Sequence, residues 1–534
     1  MKFLSYKAIA PIVIGLVIWL LPVPAGLTQP AWTYFALFVA VVTALILEPI
    51  PAAAAGFIGV TLAAALLLVP TSPPTPPKAP APAAAAAKPA EAPKPAGLAE
   101  SAQPAKLAEP AGPTAAAEAP KPAETQAVKA PLVKPGDVIK WALSGFSNNT
   151  VWLIFIAFMF AMGYDKTGLG KRIALMLVKG MGKKTLGLGY AVAFADLALA
   201  PFMPSNTARS GGTIFPIIKN IPALYGSTPD NEPRKIGSYL MWTALATTCV
   251  TSSMFITALA PNLLALQLVE KTAKITFSWG AWFMGFLPVG VILFALVPFL
   301  SYVIYPPTMK ESAGASQWAG DELAKMGRVS AKEWTMLGIA VAALVFWIIG
   351  ADFIDATTVA MGALSLMLLA KVISWDDLLS NKQAWNVLVW FGTLVALADG
   401  LGKVGFLTWF AAKAAAAMTG FSPLALVIGL VIVFYLVHYL FASLTAHATA
   451  LLPVFLASAM GVPGVSMKTL AFLLCSSLGL MGIITPFATG PSPIYYGSGY
   501  VKPKDFWLLG LIFGLIYLVV FLGVGVPWFQ MLNS

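Results

Sequence analysis

The sequence predicts an all-α integral membrane protein: about 11 transmembrane helices plus two re-entrant hairpins, arranged as two inverted repeats. Three observations carry this reading. Of the 534 residues, 59% are hydrophobic and only 10% are charged, and the mean hydropathy is +0.82, whereas soluble domains carry about 25% charged residues. Apolar segments of spanning length recur along the chain. Two short strings, Ser205-Asn206-Thr207-Ala208-Arg209 and Ser443-Leu444-Thr445-Ala446-His447, share one pattern at a spacing of 443 − 205 = 238 residues.

In order, the spanning candidates are residues 8–23, 32–47, 52–69, 151–162 with an extension, 237–267, 279–305, 334–349, 357–373, 385–398, 467–484 and 506–532. With its flanks, each approaches the roughly 20 residues that a bilayer requires. Segments 186–220 and 423–460 are also apolar but are interrupted by Pro, Gly, Ser and Asn. Irregular backbone is tolerated at membrane depth only where protein or a watery cavity covers it, so these are the re-entrant hairpins, with the two strings at their tips. Residues 71–140 form an Ala-, Pro-, Lys- and Glu-rich tract with almost no aromatics. It lacks the apolar content to build a core and is expected to be a disordered external insertion.

The chain divides accordingly. Residues 1–30 hold an N-terminal transmembrane helix and 31–305 the first repeat, which includes the insertion. Residues 306–333 are a cytoplasmic linker and 334–534 the second repeat. Gly163-Tyr164-Asp165-Lys166-Thr167-Gly168 matches Gly400-Leu401-Gly402-Lys403-Val404-Gly405. In each half an amphipathic stretch comes next, then a hairpin, then a span that breaks, at residues 256–262 in one half and 484–493 in the other. Each half holds an odd number of spans, which inverts the second against the first. Lysines and arginines cluster in loops that fall on one side when the N-terminus is cytoplasmic, as the positive-inside rule requires; Lys403 and Lys413 fall on the other.

The net charge of +11 is spread over loops rather than gathered in a basic run, and no nucleic-acid partner is expected. Cys249 and Cys475 lie inside apolar segments with no CxxC or Cys/His cluster, so neither a metal site nor a cofactor is expected. No HExxH, GxSxG or Walker loop is present, and the chain does not read as an enzyme.

Paired broken helices near the midplane are a transporter signature. A half-helix start exposes N–H groups and a dipole that attract anions, and hydroxyls and amides donate to carboxylate oxygens. The candidate substrate-binding residues are therefore Ser205, Asn206, Thr207, Ser443 and Thr445 at the tips, with Thr257, Pro261, Asn262, Thr489 and Ser492 at the breaks. Arg209 and His447 are candidate fixed cations. Asp196 is read as the counter-ion of Arg209, and His438 as structural.

Pro204-Ser205-Asn206-Thr207-Ala208-Arg209-Ser210-Gly211-Gly212-Thr213, the preceding Thr167-Gly168-Leu169-Gly170-Lys171-Arg172, and Thr445-Ala446-His447-Ala448-Thr449 resemble the divalent anion:sodium symporter family. Within it the chain is most similar to the branch of the plastid 2-oxoglutarate/malate translocator and the bacterial citrate/succinate and tartrate/succinate antiporters. The resemblance implies a homodimeric elevator in the inner membrane, whose moving transport domain carries both hairpins. It also implies di- and tricarboxylate substrates: 2-oxoglutarate, malate, succinate, citrate or tartrate. Sodium-coupled members have Ser-Asn-Thr at both tips; here the second tip is Ser443-Leu444-Thr445. Positive charge at Arg209 and His447 stands near where sodium would sit and replaces it electrostatically. The expectation is sodium-independent antiport, the alternative being a sodium- or proton-coupled symporter on the same fold.

Overall fold

The computed structural model describes residues 6–69, 133–350, 352–418 and 420–533. The predicted insertion falls largely outside the described residues. Its last residues do not: Pro135–Leu143 is a helix, so the tract ends before residue 140. The reason is local. Pro135 opens the helix where its missing N–H costs nothing, Asp137 lies in the first turn, and Val138, Trp141 and Ala142 bury one face.

The helices run in chain order. α1 (Tyr6–Leu20), α2 (Gln29–Leu47), α3 (Ala52–Ala65) and α4 (Pro135–Leu143) lead into α5 (Asn149–Thr167), α6 (Leu169–Met181) and α7 (Thr185–Leu199). After a break, a π-helical segment (Thr207–Ile214) continues into α8 (Phe215–Ile218). Then come α9 (Gly237–Met254), a 3-10 turn (Ile256–Ala258), α10 (Ala260–Ala273), α11 (Trp279–Ile304) and α12 (Ala313–Met326). The second half comprises α13 (Ala331–Ile349), α14 (Ala356–Leu369), α15 (Trp375–Ser380), α16 (Lys382–Lys403), α17 (Phe406–Ala417), α18 (Pro423–Val437), α19 (Leu444–Met460), α20 (Met467–Leu480), α21 (Ser492–Gly497), α22 (Pro503–Val520) and α23 (Val526–Asn533).

Among the described residues, 8 helical runs are long and apolar enough to cross a membrane. Others among the expected spans take shape as shorter or interrupted helices, because glycine, proline and hydroxyl-rich breaks divide them; α9 and α10, read as one apolar segment, are separate helices around residues 255–259. No β-strand occurs among the described residues beyond the isolated bridge Lys184–Glu311.

The two halves repeat one order of elements. α5, α6, α7, a tip and the π segment correspond to α16, α17, α18, a tip and α19. The matched glycines do the same job: Gly168 (φ +78°) and Gly405 (φ +81°) turn the chain in the left-handed region, between α5 and α6 and between α16 and α17. The two tips lead into unlike helices. Ser443 is a regular N-cap of α19, its Oγ accepting from Ala446 N–H at 3.3 Å. The first tip runs instead into the π segment, through Gly211 and Gly212.

A large core joins α5–α16 to α18–α23, and a second cluster joins α2, α3 and α4 to parts of α16, α17 and α19. Leu, Val and Phe side chains of α1, α13, α14 and α22 point outward, as lipid-facing helices require.

Candidate functional site at the hairpin tips

Four irregular stretches converge. The first tip is tied to the first break by backbone and side chain: Ala260 N–H donates to Pro204 O at 2.6 Å, and Thr257 Oγ1 donates to Pro201 O at 2.6 Å. It is tied to the second break by Asn206 Nδ2, which donates to Thr489 Oγ1 at 2.8 Å. Gly490 lies directly on Thr207, leaving no room there for a Cβ. The second tip reaches the second break through His438 Nε2, 2.8 Å from Ala488 O. α19, which leaves that tip, packs along α10, which leaves the first break. No hydrogen bond among the described residues joins Ser443 or Thr445 directly to the first tip.

Ser205, Thr207 and Ser443 are half-buried, whereas Asn206 and Thr445 are buried. Ser205 Oγ accepts from Ala208 N–H at 3.2 Å, as Ser443 Oγ does from Ala446. Each serine thus caps the segment after its tip, and hydroxyl capping is its local role. Thr445 Oγ1 has no hydrogen-bond partner among the described residues. Asn262 donates through Nδ2 to Ser252 O at 2.8 Å and Phe255 O at 3.3 Å, closing the first break, while its buried Oδ1 has no partner. Pro261 opens α10. Ser492 Oγ donates to Gly482 O at 3.2 Å and holds the second break together.

Arg209 is fully buried, and its donors are all engaged. Nε lies 3.2 Å from both oxygens of Asp196. Nη1 donates to Met203 O and Ala258 O, both at 2.8 Å. Nη2 donates to Ser252 Oγ at 3.0 Å, Thr248 Oγ1 at 3.3 Å and Thr251 Oγ1 at 3.4 Å. Thr251 in turn donates to Asp196. Arg209 is therefore a pin through the first tip, the first break and α9. Its charge is matched by Asp196 rather than left free, since a buried guanidinium without a carboxylate would be costly.

His447 stands differently. It is fully buried among Phe434, Phe441 and His438, with ring centroids at 4.3, 5.0 and 4.9 Å. Neither ring nitrogen has a partner among the described residues. His438, read from sequence as structural, holds the second break and edges His447. The hydroxyls around Arg209 come from Thr247-Thr248-Cys249-Val250-Thr251-Ser252-Ser253, a polar run inside a span whose pattern is the sequence signal for them.

A cavity of about 500 Å³ opens between α5, α10, α11, α13 and α14 and reaches Thr257 and Trp279. Trp279 Nε1 donates to Thr257 Oγ1 at 3.2 Å. One wall is polar: Asn148 Nδ2 donates to Gln267 Oε1, and Gln267 Nε2 donates to Thr150 Oγ1 at 2.7 Å.

A helical membrane bundle in which two hairpin tips meet two broken helices is the architecture of a secondary transporter, not of an enzyme. Similarity to known proteins agrees. Residues 2–534 match the family model described as the sodium:sulfate symporter transmembrane region, and the chain belongs to that family. It is 48% identical over 529 residues to the citrate/succinate antiporter of Escherichia coli (strain K12), covering 99% of this chain and 98% of that one. It is 45% identical to the L-tartrate/succinate antiporter of the same strain, covering 98% and 97%. Among solved structures, the YdaH transporter of Alcanivorax borkumensis has a similar fold, with a TM-score of 0.52 at 15% identity over 74% of this chain and 88% of that one.

Proposed function

We propose that this protein exchanges di- and tricarboxylates across the inner membrane by sodium-independent antiport. The substrates belong to the class named for its relatives: citrate, succinate and tartrate, with 2-oxoglutarate and malate in the same chemical range. Substrate carboxylates bind between the two tips and the two breaks, with Asn206, Thr207, Thr445 and Thr489 as their donors.

The observation that carries sodium independence is the surroundings of Arg209. Sodium is bound by oxygen ligands. At the first tip, two carbonyls, three hydroxyls and the Asp196 carboxylate all point at the guanidinium. One cation already uses the oxygens that a second would need, and Arg is always charged. At the second tip His447 sits among aromatic rings rather than oxygens. The protein works as a homodimeric elevator with a cytoplasmic N-terminus, the orientation that the distribution of Lys and Arg favours.

The test is uptake of labelled succinate into proteoliposomes, preloaded with citrate or left empty, in sodium or in choline. Uptake should require internal substrate and be equal in both salts. Sodium-stimulated uptake into empty vesicles would establish a symporter instead.

A further inference from the structure

We propose that the lysine-rich end of the bundle binds the headgroup of an anionic phospholipid, in a cavity bounded by the ends of α5, α13, α14 and α15. This site is separate from the hairpin tips and does not depend on what they transport. The cavity measures about 750 Å³, and its lining includes Lys166, Lys332 and Lys371.

The charges there do not cancel. Lys166 Nζ pairs with Asp377 Oδ1 at 2.5 Å. That bond, with those from the Ser374 backbone and hydroxyl, holds the Asp377 carboxyl down at about 2, so it stays ionised and neutralises Lys166. Lys332 and Lys371 have no acidic partner among the described residues. Two exposed ammonium groups therefore face one basin, which suits a phosphate.

Lys371 also occupies an unusual backbone position, at φ +54°. Its N–H donates to Leu368 O at 3.1 Å and Val372 N–H donates to Met367 O at 2.9 Å, which closes α14 with a left-handed cap. Glycine is the default there. This chain places a cation at that position instead.

The basin sits at a membrane boundary rather than in open water. Trp375 lines it and is 60% exposed, and Trp334, two residues along α13 from Lys332, is 62% exposed, as in the aromatic belts at headgroup level. Leu369, at the end of α14, is 80% exposed and Leu366 one turn back is 52% exposed, offering an apolar track for acyl chains. The buried Val372 and Ile373 form an apolar floor under the lysines. A cationic rim above an apolar wall fits a lipid better than a free anion.

The experiment titrates the purified full-length protein in detergent with phosphatidylglycerol or with phosphatidylcholine of the same chains, and reads bound lipid by native mass spectrometry. Phosphatidylglycerol should bind and phosphatidylcholine should not. The Lys332→Gln/Lys371→Gln double variant should bind phosphatidylglycerol about thirtyfold more weakly, as expected for two surface cations. A Lys134→Gln/Lys140→Gln control should bind as the wild type does. Raising the salt should weaken binding to the wild type, a readout that needs no variant. Equal binding of both lipids, undiminished binding to the double variant, or binding unaffected by salt would each overturn the proposal. Displacement of the lipid by an equal concentration of inorganic phosphate would also overturn it, since the site would then take free anions.

Discussion

Replacing Asp196 with alanine should cost the protein its stability, whereas replacing Asn206 with alanine should cost it transport. The two residues lie close in the fold, and both are buried. The side chains of Asp196 and Arg209 are 2% and 0% exposed. Truncating Asp196 removes both carboxylate contacts to Arg209 Nε and the bond from Thr251, leaving a guanidinium among neutral oxygens. Breaking a buried pair from one side costs about 3–5 kcal/mol, at least about a hundredfold in the ratio of folded to unfolded protein. Asn206→Ala removes one neutral hydrogen bond, to Thr489, worth about 1 kcal/mol, but deletes the amide at the first tip. The assay purifies both variants in one detergent, measures the monodisperse fraction after a heating series, and then measures succinate exchange in proteoliposomes. Asp196→Ala should aggregate well below the wild-type temperature. Asn206→Ala should survive heating nearly as the wild type does, with exchange reduced at least about tenfold if one charge-assisted substrate bond of about 1.5–3 kcal/mol is lost. An Asp196→Ala protein as heat-resistant as the wild type would refute the role of Arg209 as a pin. Wild-type exchange by Asn206→Ala would refute the placement of the site.

Thr445→Ala should likewise depress exchange with little change in heat resistance, because its hydroxyl makes no hydrogen bond to the described residues; the same pair of assays checks it. Gly490→Ala would place a Cβ 1.8 Å from Thr207 Oγ1, so it should displace that hydroxyl and raise the substrate concentration needed for half-maximal exchange, measured by counterflow. Asp377 has a folded pKa lowered to about 2, first by the Lys166 hydrogen bond. Its contribution to stability is present above the ordinary carboxylate range and is lost as pH falls from about 4 through about 2. The pair is partly exposed, so that contribution stays below about 1 kcal/mol. Asp377→Asn should flatten the profile of unfolding temperature against pH over that interval and leave exchange at pH 7 unchanged.

The spans and the interrupted hairpins were legible because a bilayer imposes a strict demand. Backbone polar groups at depth must be paired, so long apolar runs mean helices and Pro, Ser or Asn within them means a protected break. The matched Gly168 and Gly405 were legible because both turn the chain through the left-handed region. Other features depend on partners distant in sequence. The π segment at Thr207–Ile214 accommodates Gly211, whose Cβ position is taken by Ile494 of the other half. α4 owes its buried face to helices on both sides of the insertion, so composition alone placed its start within the tract.

The deepest difference between sequence and structure concerns the two matched strings at the tips. They agree in pattern, hydroxyl, hydroxyl, then a basic residue, yet the two basic residues stand in unlike surroundings. Arg209 lies in a shell of oxygens closed by Asp196, in contact with the first break through Ala258 O. His447 lies in a shell of rings, and its link to the second break passes through His438, whose Nε2 meets Ala488 O. A repeat in sequence has therefore become a pair of tips with different physics: one held by an ion pair whose arginine stays charged across physiological pH, the other by two adjacent imidazoles packed against aromatic rings. His447→Phe keeps the aromatic packing and removes two buried ring nitrogens that have no partner among the described residues, so it should leave heat resistance at or above that of the wild type. Arg209→Met, which leaves Asp196 buried without its cation, should lower it sharply. A His447→Phe protein as heat-sensitive as Arg209→Met would show that the two tips are held in the same way after all.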